Sequence, residues 1–83
     1  MSSKIIYETL NRIKSEINKN EFIHDISHMS IQIKTLASLF RKTNIIQIIG
    51  RVNQTREKDE IERIAAANAG KMQIVSTLRV EYR

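Results

Sequence analysis

The chain has no cysteine and no proline, and only two glycines among its 83 residues. Without cysteine there is no disulfide framework, no thiolate metal site and no cysteine nucleophile. Without proline, and with so little glycine, few sharp turns are written into the backbone. Aromatic residues are also scarce, with two Phe, two Tyr and no Trp. No uninterrupted apolar run is longer than Ile64–Ala67, far short of a bilayer-spanning helix. Met1–Lys4 is not followed by the apolar stretch of a secretory leader. This predicts a cytoplasmic location as the sequence stands, and the periplasm or cell envelope if a leader has been removed. The length allows a single domain over residues 1–83 with one modest core, which excludes a multi-domain enzyme.

What is present is an excess of bases. Fourteen Lys and Arg against nine Asp and Glu give a net charge of +5. The excess is concentrated. Residues 31–56 hold Lys34, Arg41, Lys42, Arg51 and Arg56 and no acid, whereas Glu57, Asp59, Glu60 and Glu62 follow at once. An acid-free stretch attracts phosphates, whether of lipid or of nucleic acid, or it serves solubility alone.

The apolar pattern changes period along the chain. Ile6, Leu10, Ile13 and Ile17 recur at helical spacing. Met29, Ile31 and Ile33 alternate with polar residues, which predicts a half-buried strand. Residues 35–43 either extend a hairpin or form one helical turn. Residues 45–52 are rich in isoleucine and read as a strand that is apolar on both faces, hence central. Gly50 within it marks a bulge or a close approach by another element. Thr55 is placed to cap a second helix, and the acids that follow suit the positive end of its dipole. Ile61, Ile64, Ala65 and Ala69 form the buried stripe of that helix, and Gly70 is placed as its left-handed terminator. Met72, Ile74, Leu78 and Val80 share one face of a last strand. The predicted fold is α+β, a two-layer sandwich of order α-β-β-α-β. Its mixed three-stranded sheet carries both helices on one face, with a helical crossover between the parallel strands.

The segment Ile48-Ile49-Gly50-Arg51-Val52, the charged helix with Ile64-Ala65, and Gly70 twenty residues after Gly50 belong together. With the tail Ile74–Val80 and the opening helix Leu10–Ile17 leading to Met29–Ile33, they resemble a BON domain over residues 4–81. BON domains are the small bacterial modules named for osmotically inducible and nodulation proteins. The chain departs from the family pattern in having Ser76-Thr77 where Asn-Asn is usual. It also carries an insertion around Leu36–Thr43 and lacks a leader. The resemblance implies the same α-β-β-α-β fold and no catalytic centre. It further implies association with phospholipid surfaces, envelope integrity or stress; some members are cytoplasmic, and one type senses potassium. In lipid-binding members the first helix is implicated, which corresponds here to Lys4, Arg12, Lys14 and Lys19.

Two candidate surfaces follow. Leu36, Leu39 and Phe40 adjoin Arg41 and Lys42, so they either dip into a headgroup layer or cap the core. Arg12, Lys14, Leu39, Phe40, Arg41 and Lys42 are therefore the expected contacts with an anionic phospholipid surface. Ile45, Ile49 and Val75 fall on the sheet face away from the helices, where they expose an apolar strip for a protein partner or a second copy, or are covered by the 35–43 loop. His24 and His28 have metal-ligand spacing on a helix, but no third ligand and no helical stripe accompany them, so no metal is expected. The acids of residues 57–62 suit helix-dipole placement better than general acid–base catalysis, so no catalytic residue and no cofactor are expected. Tyr7, Phe22, Phe40 and Tyr82 lack the strand spacing of single-strand readers, which places nucleic acid behind lipid and protein as a partner.

Overall fold

The computed structural model describes residues 3–37 and 39–81. Helix α1 spans Ser3–Lys19, strand β1 Met29–Ala37, strand β2 Lys42–Val52 and helix α2 Thr55–Asn68, followed by strands β3 Gln73–Ser76 and β4 Arg79–Val80. Element order and class are those the sequence predicts, an α+β fold with a mixed sheet. The difference lies in the last strand. It is broken in two, so the sheet has four strands: β1 pairs antiparallel with β2, and β3 and β4 both pair parallel with β2.

Gly50 explains the break. It has φ +111° and lies between the two parallel ladders, which run Ile45–Ile48 against Gln73–Ser76 and Arg51–Val52 against Arg79–Val80. No extra residue is inserted in β2, because its register with β1 continues through Met29 opposite Gly50. Of the two expectations for Gly50, the close approach holds and the bulge does not. A Cβ there would fall inside contact distance of the His28 carbonyl oxygen and 2.6 Å from Met29 Cα. Thr77 N–H still reaches the Ile48 carbonyl at 2.8 Å, so the chain stays alongside β2 while Leu78 turns into the core.

The core lies between the inner sheet face and the two helices. Ile46, Ile48 and Val52 of β2 meet Ile13 and Ile17 of α1 and Ile61, Ile64 and Ala65 of α2 in one buried cluster. The helices run antiparallel. Asn68 near the end of α2 donates to Glu16 at 2.8 Å, and Asn20 just past α1 donates to Glu60 at 3.4 Å. Gln54, in extended conformation, occupies the N-cap position of α2, and Thr55 is its first helical residue rather than the cap. The difference is one residue at a helix end. Gly70 has φ +61° and ends α2 as expected, with open space where a Cβ would stand.

Glu57 departs from its predicted role as a surface acid at the helix start. It is only 1% exposed and continues the buried stripe of Ile61, Ile64 and Ala65. Its Oε2 accepts the backbone N–H groups of His24 at 2.9 Å and Asp25 at 3.3 Å. The segment joining α1 to β1 has no regular structure, so the part-buried N–H groups of His24 and Asp25 find a side-chain acceptor. The first turn of α2 supplies a further restraint, the Arg56 guanidinium 3.5 Å above the Phe22 ring, and within the connection Asn20 Oδ1 accepts the Phe22 N–H at 2.8 Å.

The two glycines separate space from conformation. Gly50→Ala meets both a forbidden φ and a backbone collision, and should cost about 3 kcal/mol or more in urea unfolding. Gly70→Ala meets the φ penalty alone and should cost about 1–2 kcal/mol. Equal costs would show that the approach of His28 is not what demands glycine at position 50. Glu57→Ala leaves two donors without their acceptor, and a loss of about 2–3 kcal/mol is expected. Amide exchange at His24 and Asp25 should accelerate ahead of global unfolding; unchanged exchange there would remove Glu57 from this role.

Candidate functional site

The β1–β2 pairing continues past the body of the protein. β3 starts opposite Ile45, so residues 42–44 of β2 have no strand neighbour on that side among the described residues. From Thr35 opposite Asn44 to Ala37 opposite Lys42, the hairpin is a bare two-stranded ribbon. Thr35 Oγ1 and Asn44 Oδ1, 2.8 Å apart, tie its strands together across the inner face. The ribbon accounts for the elongated shape, 45 × 23 × 18 Å. Of the two readings of residues 35–43, the extended hairpin is the one adopted.

The ribbon ends in two large apolar side chains that nothing covers. Leu39 is 95% exposed and Phe40 94%, and Leu36 is more than half exposed. Arg41 and Lys42 follow directly, and Lys34 lies at the ribbon base, all three exposed. Of the two readings of these apolar residues, capping of the core is therefore overturned. A hairpin cannot fold back on its own sheet without breaking the ladder that extends it.

The first helix does not join this surface. Arg12 and Lys14 flank buried Ile13 on opposite sides of α1. Arg12 shares its flank with Glu16, which faces Asn68 of α2. Lys14 lines a cleft with Ile17, Asn18, Ile26 and Met29–Gln32, at the end of β1 away from the tip. At about 3.3 Å per residue, Leu39 lies roughly 20 Å or more beyond that cleft. The expected joint patch of Arg12, Lys14 and residues 39–42 is thus three separate places.

The expected apolar strip on the outer sheet face is also corrected. Ile45 is only 6% exposed and Ile49 is half-buried; Val75 alone of the three is exposed, at 41%. Ile45 sits on the central strand between Lys34 and Gln73, directly opposite it on either side. Long side chains on both neighbours cover a residue so placed. It also stands outside the main core cluster, so it is shielded without helping to fill that core.

The acids of α2 do not converge. Glu57 is buried against the connecting segment, Glu62 pairs with Lys58 at 3.1 Å, and Glu60 pairs with Arg63 at 2.7 Å. The hydrogen bond from Arg63 holds the Glu60 carboxyl below its ordinary pKa, against a smaller opposing effect of burial. A general acid at neutral pH needs the opposite shift. His24 and His28 lie outside any helix, so their spacing does not bring them to one face. No group of three His, Cys, Asp or Glu able to hold a metal occurs among the described residues. Tyr82 lies outside the described residues.

Sequence reasoning missed the burial of Glu57, although the signal was present: it precedes Ile61, Ile64 and Ala65 by four, seven and eight positions, the spacing of one helix face. No family model matches the chain, and no curated protein or solved structure matches it either.

Proposed function

We propose that this chain is a BON-like binding module rather than an enzyme, and that it associates peripherally with anionic phospholipid surfaces through the tip of its β1–β2 hairpin. One observation carries the reading: Leu39 and Phe40 stand almost fully in solvent at the end of a projecting ribbon, beside Arg41 and Lys42. A soluble domain gains nothing by displaying its largest apolar side chains at its farthest point. An interfacial protein gains about 1.5–3 kcal/mol for each such side chain fully buried. Each cation near an anionic surface adds about 1 kcal/mol. Two apolar groups and three cations therefore support weak, reversible, salt-sensitive association. The resemblance places such an activity in the cell envelope or in a stress response. Arg12 and Lys14, which face elsewhere, have no part in this contact. The rival reading, assembly through the outer sheet face, loses support with the burial of Ile45.

Vesicle flotation tests the proposal. Binding to phosphatidylglycerol vesicles but not to phosphatidylcholine vesicles is expected, falling as salt rises. Replacing Arg41 and Lys42 with Glu should weaken it by about tenfold or more. Replacing Leu39 and Phe40 with Ser should weaken it at all salt concentrations. Neither pair should alter the unfolding midpoint, because these side chains are exposed. Undiminished binding by both variants would remove the tip from the contact. Binding to a single-stranded oligonucleotide as tight as to vesicles would move the partner from lipid to nucleic acid.

A further inference from the structure

The free edge of β1 lies away from the hairpin tip. Arg51 N–H donates to the His28 carbonyl at 3.0 Å, which sets the phase of the antiparallel ladder. Even-numbered residues of β1 bond to β2, so Ile31, Ile33, Thr35 and Ala37 turn their backbone N–H and C=O groups outward. β1 ends the strand order, so no strand among the described residues lies beyond it. Proteins normally guard such an edge with several charges, a proline or a bulge. Here Met29–Ala37 holds one charge, Lys34, and neither other device.

The edge is flanked by a groove. A cleft of about 410 Å³ runs between α1 and β1, lined by Lys14, Ile17, Asn18, Ile26 and Met29–Gln32. Tyr7, two helical turns before Lys14 on the same flank, is 67% exposed. An extended segment laid along the edge would have Tyr7 and Lys14 on its helix side and Lys34 on its outer side. Neither Lys14 nor Lys34 forms an ion pair among the described residues, and β1 and β2 contain no acid. The net charge of +5 disfavours a second copy and favours an acidic guest.

We propose that the groove between α1 and the open edge of β1 takes up an extended, acidic segment of a partner protein as an added strand of the sheet. The guest's main chain pairs with Ile31 and Ile33. Its alternate side chains then point either beneath α1 or toward Lys34, so a segment alternating apolar and acidic residues fits. This surface is distinct from the hairpin tip and does not depend on the lipid reading.

The probe is a blocked octapeptide alternating valine and glutamate, followed by amide NMR and hydrogen exchange on the intact chain. Saturation should slow exchange at Ile31 and Ile33 by about tenfold or more, since their outward N–H groups become bonded. The counterpart alternating valine and lysine should not protect them. Lys14→Glu, an exposed change, should weaken binding of the acidic peptide roughly threefold or more. Leu39→Ser with Phe40→Ser should leave it unaltered. No protection at Ile31 and Ile33, or equal protection by both peptides, would overturn the proposal. So would protection that grows with protein concentration alone, which would assign the edge to a second copy.

Discussion

The fold depends on one strand. Among the described residues, β2 pairs with every other strand, antiparallel to β1 and parallel to β3 and β4. Its inner residues Ile46 and Ile48 are fully buried beneath both helices. A strand in that position must be apolar on its inner face, must let the chain pass closely at one point, and must hold three neighbours in register. The isoleucine-rich run meets the first demand and Gly50 the second. The last strand is interrupted where it passes Gly50, whose φ is +111°.

The connection between α1 and β1 depends on the opposite kind of chemistry. It has too few apolar residues to bury and no ladder to satisfy its backbone. The first turns of α2 hold it instead, through the Glu57 carboxyl, the Arg56–Phe22 stack and the Asn20–Glu60 bond. Acids at a helix start are expected for dipole reasons, and these acids have that role as well. Tertiary packing gives Glu57 a second role by turning it inward, against the backbone of His24 and Asp25.

The molecule separates its surfaces. On the outer sheet face, expected to expose an apolar strip, Ile45 is buried on the central strand between Lys34 and Gln73. Apolar exposure is concentrated instead at the tip of a ribbon with little cover of its own. A two-stranded ribbon beyond the core contributes little to stability, since it buries almost nothing. Its tip carries exposed Leu39 and Phe40 beside the exposed bases Arg41 and Lys42, with no acid in either strand.

The sequence by itself determined the α+β class, the element order, the buried stripes of both helices, the terminator Gly70 and the special status of Gly50. Each of these is a local matter, written as periodicity or as a backbone conformation that few residues adopt. It also marked Leu39, Phe40, Arg41 and Lys42 as a candidate surface, because apolar residues there adjoin two bases, but it left open whether they cap the core. Three things were decided only by tertiary structure: the burial of Ile45, the inward turn of Glu57, and the separation of Arg12 and Lys14 from the tip. The physical reason is common to all three. Whether a side chain meets water or another side chain depends on which strands and helices become its neighbours. Neighbours such as Gln73 for Ile45, or His24 for Glu57, lie about thirty residues away along the chain.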